Sequence, residues 1–309
     1  MQESMRNRLI YGPLMLAALG GLLYFDYWVE KATAGRIDHS ILRPAPGQGI
    51  AGAGVAILLL VLLPLGTVEM AQLLTAEHVR PYRGLAAFGS SLLVLHGLLT
   101  QFPWFQHIAA STLAFIVVLT MVFAAARRAG AGHTQEAITR MAGTVLAMLY
   151  LGGLGWFLMA LRVKHSADTT RYQGSTQAVV MILLVVKFTD IGAYFGGKAI
   201  GKRKLIPWLS PGKTWEGLAC GLATAGLVGL ICHLIWPKHL NTLNWYKALL
   251  FGIIIGGVGQ LGDLLESLFK RDAEVKDSGN IIPGFGGLLD VIDSPLLAAP
   301  AAYLLFSLF

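Results

Sequence analysis

Between Ser267 and Ser294 the chain reads SLFKRDAEVKDSGNIIPGFGGLLDVIDS, and six of its first eleven residues are acids or bases. Asp290 and Asp293 then stand at the mouth of an apolar stretch. Ionisable groups beside membrane-grade sequence are costly unless they bind something, so chemistry is expected here. The polar segment begins a little earlier, at Gly262-Asp263. Asp263, Glu266, Ser267 and Lys270 fall at i, i+3, i+4 and i+7, so a helix aligns them in one stripe while Leu264, Leu265, Leu268 and Phe269 cover the rest. The break Pro283-Gly284-Phe285-Gly286-Gly287 permits sharp turns before a new helix, which would return Asp290 and Asp293 toward Asp263. Converging carboxylates suit Mg²⁺, an ion that takes a few carboxylates, waters and substrate phosphates. Helix capping and loop salt bridges are the alternative use for the same acids.

Two further polar motifs interrupt the apolar sequence. In Lys187-Phe188-Thr189-Asp190-Ile191-Gly192-Ala193-Tyr194, a helix puts Lys187, Asp190 and Tyr194 on one face, three and four residues apart. An intramembrane ion pair would explain the first two, and a binding site would explain all three. The other motif is Ser210-Pro211-Gly212-Lys213-Thr214-Trp215-Glu216-Gly217, which follows the basic run Lys202-Arg203-Lys204. Read as the opening of an apolar helix, it offers unsatisfied N–H groups and a positive dipole end, to which Lys213 adds a full charge: a phosphate site. Lys202 to Lys204 read more simply as a topology-setting loop, whereas Lys213 and Glu216 are candidates for binding.

The elements that must carry these groups are membrane helices. Hydrophobic residues make up 55% of 309, charged residues only 13%, and mean hydropathy is +0.63. Repeated uncharged runs of about 20 residues define an all-α, polytopic integral membrane protein. Nine spans are expected near 9–28, 49–74, 84–102, 108–126, 140–161, 176–197, 215–236, 246–265 and 286–308, the last being the weakest. The first ends in the aromatic cluster Tyr24, Phe25, Tyr27 and Trp28 and lacks a small-residue cleavage site, so it reads as a retained span and not a signal peptide. With nine spans and the N-terminus inside, the inner segments carry 15 Lys and Arg and the outer ones 8. This bias places the 198–214 and 266–285 loops in the cytoplasm. The formal net charge of +7 therefore reads as topology and not as nucleic-acid binding. Residues 1–174 are expected to form a less polar scaffold and 175–309 the chemistry-bearing region of one membrane domain. Cys220 and Cys232 are too few for a disulfide framework or zinc site and read as packing residues. Gly257-Val258-Gly259-Gln260-Leu261-Gly262 matches GxGxxG, yet it lies in an apolar run with no preceding strand. These glycines, with Gly252 and Gly256, are expected to let helices approach closely. The eight histidines show no ligand spacing.

The 267–293 segment resembles the signature of phosphatidate cytidylyltransferases, also called CDP-diacylglycerol synthases. The pattern stands as Ser267, Lys270, Arg271, Lys276, Asp277, Gly279, Pro283, Gly286, Gly287, Asp290 and Asp293, with Phe285 in place of the usual His and Val291 in place of the usual Arg. DIGAYFGGKAIGK and SPGKTWEG also look like this family, so the resemblance runs in order over 187–294. It implies cytidylyl transfer from CTP to phosphatidic acid, giving CDP-diacylglycerol and pyrophosphate with Mg²⁺, and leaves room for a second, monovalent cation. Under it, Asp263 and Asp290 hold the metal and Asp293 is a further ligand or supporting acid. Lys270, Arg271, Lys276 and Lys213 would hold phosphates, while Asp190, Glu216, Ser267 and Asp277 orient them. The lipid bilayer of a bacterial-type inner membrane is the expected setting, with the site facing the cytoplasm, no nucleic-acid partner, and a homodimer as the assembly considered. Two other readings use the same residues: an ion- or proton-coupled transporter, and a CTP-dependent enzyme acting on another lipid phosphate.

Overall fold

Apolar runs of this length leave the backbone one economical way to satisfy its own N–H and C=O groups in lipid, which is to coil into α-helices. The computed structural model describes residues 2–37, 44, 48–132, 134–164, 174–240, 242–275, 277–279, 281–282, 284 and 286–309. Along these the helices are α1 (Gln2–Thr33), α2 (Ala53–Ala76), α3 (Arg83–Leu99), the single turn α4 (Pro103–Gln106), α5 (Ala109–Gly130) and α6 (Ala137–Met148). A π-helical turn, Leu149–Gly153, carries α6 into α7 (Leu154–Val163); α8 (Thr176–Ile200), α9 (Trp215–Ile235), α10 (Trp245–Asp272) and α11 (Leu289–Leu308) follow. Eight stretches, counting α6 to α7 as one, are long and apolar enough to cross a membrane, and α3, apolar over 17 residues, stands where the remaining expected span was placed. The protein is an all-α, polytopic integral membrane protein.

One local element departs from the sequence reading. Lys204–Ile206 (β1) and Ser210–Thr214 (β2) pair antiparallel, with Lys204 opposite Thr214 and Ile206 opposite Ser210. Ser210 therefore does not open a helix; α9 opens at Trp215, where Thr214 Oγ1 accepts the Gly217 N–H at 3.1 Å. Pro211 and Gly212 are poor strand formers, which hid a hairpin that survives because it is a short, two-stranded edge element. Lys213 sits on that strand.

By contacts the chain forms two units, Met1–Val163 with Asp272–Val291, and Lys164–Arg271 with Ile292–Phe309. In the first, Arg162 lies in α7 and is 1% exposed. Its Nε donates to Asp26 Oδ2 at 2.5 Å and its Nη2 to Glu30 Oε2 at 2.6 Å, both acids on α1. Asp26 Oδ1 also accepts the Gly54 N–H at 3.1 Å, so one ion cluster ties α1, α2 and α7. In the second unit small residues let the helices meet. A Cβ on Gly252 would stand 2.2 Å from the Ala225 carbonyl oxygen, and one on Gly229 2.4 Å from that of Ala248. Gly256 meets Ala225 and Thr189 as closely, at 2.6 Å. The GxGxxG stretch is the interior of α10, and its neighbourhood is a helix-packing surface, as expected.

Removing one member of a buried ion cluster strands the others. Arg162→Ala removes the guanidinium that faces Asp26, which is 0% exposed. A loss of about 3–5 kcal/mol in unfolding free energy is expected, read from denaturation of the detergent-solubilised protein; a variant as stable as wild type contradicts the assignment.

Candidate active site

At 28 residues α10 is about 42 Å long, more than the roughly 30 Å of a hydrocarbon core, so one end extends past the apolar layer or the helix tilts. Its C-terminal third carries the polar stripe expected from the sequence. Asp263 and Glu266 on α10 and Asp293 on α11 each present a carboxylate oxygen within 4.8 Å of the other two. Gly262 makes this possible: a Cβ there would lie 2.9 Å from the Ser294 Cα and 3.1 Å from the Asp293 carbonyl oxygen, so a side chain would push α11 away. Glu266, 1% exposed, pairs through Oε2 with Lys270 Nζ at 3.1 Å. Asp293 is 3% exposed, and among the described residues its Oδ2 is buried with no hydrogen-bond donor. A buried, undonated carboxylate oxygen is costly, and a bound cation would satisfy it.

From Asp263 a polar chain runs back through the bundle. Lys213 Nζ lies 2.6 Å from Asp263 Oδ2 and donates to Gln260 Oε1 at 3.0 Å. Gln260 Nε2 in turn donates to Asp190 Oδ1 at 2.6 Å. These four side chains, with Tyr194 and Thr214, line a cavity of about 340 Å³. A second cavity, about 520 Å³ and mostly apolar, is lined by Trp215, Ile254 and Leu261 among others. Leu205, Leu218 and Gln260 line both, so the chamber that holds the charged side chains shares a wall with one that is almost wholly apolar.

Ser267 is half-buried on α10, while Arg271 and Asp277 are exposed. Glu216 accepts the backbone N–H groups of Lys202 at 3.0 Å and Arg203 at 3.2 Å, which ties the hairpin to the start of α9. Asp290 Oδ2 accepts the N–H of Gly287 at 2.8 Å and of Ser278 at 3.2 Å, and Ser278 Oγ lies 3.0 Å away. Lys187, exposed on α8, is near enough for its charge to act on Asp190 and Asp293. Lys276, Pro283 and Phe285 lie outside the described residues. Gln260 was missed because it sits inside the GxGxxG run; it lies three residues before Asp263 and extends the polar stripe by one turn. Glu266 was seen on the stripe without a metal role.

In the second unit, acids and a lysine gathered at one cavity among membrane-length helices can hold a charged group. The sequence model of the Cytidylyltransferase family matches residues 49–309, and the chain belongs to that family. It is 32% identical over 248 residues to the phosphatidate cytidylyltransferase of Bacillus subtilis, covering 79% of this chain and 87% of that protein. Over 154 residues it is 42% identical to the uncharacterized protein YnbB of Escherichia coli, covering 48% of this chain and 50% of that one. Over 144 residues it is 43% identical to the phosphatidate cytidylyltransferase of Haemophilus influenzae, covering 46% of this chain and 49% of the relative. Against the last two, the matched chain thus spans about half of the relative's length.

The packing at Gly262 is testable without any assay of activity. Cysteines at positions 263 and 293, in a background with Cys220 and Cys232 replaced by Ser, are expected to be joined by a short bifunctional thiol reagent in membranes. Adding Gly262→Val should reduce that yield at least ~5-fold, because a branched side chain cannot share the space of the Ser294 backbone. Absence of the cross-link in the folded double-cysteine protein would refute the cluster.

Proposed function

We propose that the chain transfers the cytidylyl group of CTP to phosphatidic acid, giving CDP-diacylglycerol and pyrophosphate, in a bacterial-type inner membrane with its site open to the cytoplasm. The observation that carries this is the shared wall of the two cavities. A phosphatidic acid has a charged head and an apolar body, and a chamber lined by Lys213, Asp190 and Asp263 beside one lined almost wholly by apolar side chains suits both ends at once. Names among the relatives and membership of the cytidylyltransferase family support the same reaction.

The transfer asks for little covalent chemistry from the protein. A phosphate oxygen of the lipid, ionised at neutral pH, attacks the α-phosphorus of CTP; the bond to the β-phosphate breaks and pyrophosphate leaves with its electron pair. Catalysis then rests on positioning and on neutralising charge. Lys213, held by Asp263 and Gln260, is a cation already oriented toward the chamber. Lys270, paired with Glu266, is a second one on the same α10 stripe. Asp190 fixes Gln260, and through it the head of Lys213. Asp263, Glu266 and Asp293 fit a Mg²⁺ ion: their donors are all hard oxygens, and Asp293 Oδ2 has no donor among the described residues. Such an ion would offset the charge of the phosphates. The basic bias of the 198–214 and 266–285 loops supports the cytoplasmic orientation.

Purified protein in detergent, given radiolabelled CTP, dioleoyl phosphatidic acid and Mg²⁺, is expected to move label into the lipid phase. Folded protein that leaves all label in water overturns the proposal, and ion flux through liposomes without lipid product would favour a transporter. Asp263→Asn and Asp293→Asn should each lower turnover at least ~100-fold, because a lost electrostatic contact in such a site costs about 3 kcal/mol. Asp272→Asn, exposed at the end of α10, serves as the control with near-normal turnover. Lys213→Ala is expected to lower kcat/KM for CTP at least ~10-fold with folding retained; unchanged kinetics would return Lys213 to a topology signal.

A further inference from the structure

Glu69 lies within the apolar run of α2 and is 1% exposed. A buried acid in a membrane helix needs an explanation, and among the described residues its partners are backbone N–H groups and a hydroxyl. Oε1 accepts the N–H of Leu288 at 3.0 Å, and Oε2 accepts that of Leu289 at 2.7 Å. Both donors lie at the start of α11, where the first N–H groups of a helix have no partner within it. Glu69 thus caps α11 across 220 positions of sequence and sets a negative charge at its positive end.

The same carboxylate shapes the signature loop. Ser278 Oγ lies 3.4 Å from Glu69 Oε2 and 3.0 Å from Asp290 Oδ2, so its single proton stands between two acids. A Cβ on Gly279 would come 2.3 Å from Glu69 Oε1, and one on Gly287 would come 2.0 Å from Ser278 Oγ. Gly286 takes φ +96°, which side-chain-bearing residues rarely adopt. Gly279, Gly286 and Gly287 are therefore fitted around Glu69, Ser278 and Asp290.

We propose that Glu69 is a positioning residue for the transfer reaction. It touches no substrate; it fixes Ser278, Gly279 and the opening of α11, and with them the register of that helix's first turns, which carry Asp290 and Asp293. This rests on the cytidylyl-transfer reading above. Groups that orient the carboxylates of a metal or phosphate site behave in this way, and their loss typically costs 10–100-fold in activity or metal affinity.

The test compares wild type, Glu69→Gln, Gly279→Ala and the exposed control Glu77→Gln in the lipid-labelling assay, with thermal melting of each protein. Glu69→Gln keeps the size of the side chain but turns one acceptor into a donor facing a backbone N–H. Turnover is expected to fall about 10–100-fold, with Mg²⁺ for half-maximal rate raised, KM for CTP within about threefold and the melting midpoint lowered but still above the assay temperature. Gly279→Ala, which crowds Glu69 from the loop side, should reproduce the kinetic defect, and Glu77→Gln should not. A wild type that labels no lipid removes the cytidylyl-transfer reading itself. An active wild type with normal turnover and Mg²⁺ dependence in Glu69→Gln overturns the positioning role alone. Loss of the folded protein in both Glu69→Gln and Gly279→Ala would assign Glu69 to the fold and also overturn it.

Discussion

The site depends on how closely α10 and α11 touch at Gly262. With no Cβ at that position, the backbone of Asp293 and Ser294 comes against α10, and Asp293 joins Asp263 and Glu266. Lipid gives helices little hydrophobic reason to associate, so contact is won by small residues and van der Waals packing. Gly252 and Gly256 do for α9 and α10 what Gly262 does for α10 and α11. Once those backbones meet, Gln260 and Asp263 stand level with the hairpin that carries Lys213.

Three buried acidic groups in this chain are used in three ways. Asp26, with Glu30 beside it, faces a guanidinium and ties helices together. Glu69 faces the N–H groups of a helix start and shapes a turn. Glu266 and Asp293 face each other and Asp263, an arrangement that repels itself unless cations are near, and Lys213 and Lys270 supply two. Partner type separates a structural acid from a binding one: neighbours that are already satisfied hold shape, whereas converging like charges call for a ligand.

Much of this was legible in the residues. Apolar run length gave the helices, because a span must satisfy its own backbone and has few alternatives. The i, i+3, i+4, i+7 stripe on α10 placed Asp263, Glu266, Ser267 and Lys270 on one helix, since helical periodicity is local. The hairpin at 204–214 escaped notice because a short pairing leaves no periodic signal, and Pro211 and Gly212 argued against it. Glu69 was invisible for a different reason: its meaning comes from Leu288 and Leu289, more than two hundred positions away, and no local pattern records that contact. Gln260 lay in plain view but inside a glycine pattern that drew attention to packing.

The central claim is that CTP enters the chamber walled by Lys213, Gln260 and Asp263. Photolabelling with a photoreactive CTP analogue, in membranes with Mg²⁺ and with the modified residue located by mass spectrometry, tests this directly. The account predicts labelling within 204–218 or 253–266, suppressed by excess CTP. Competable labelling confined to residues 53–163, with none on the hairpin or α10, would contradict it.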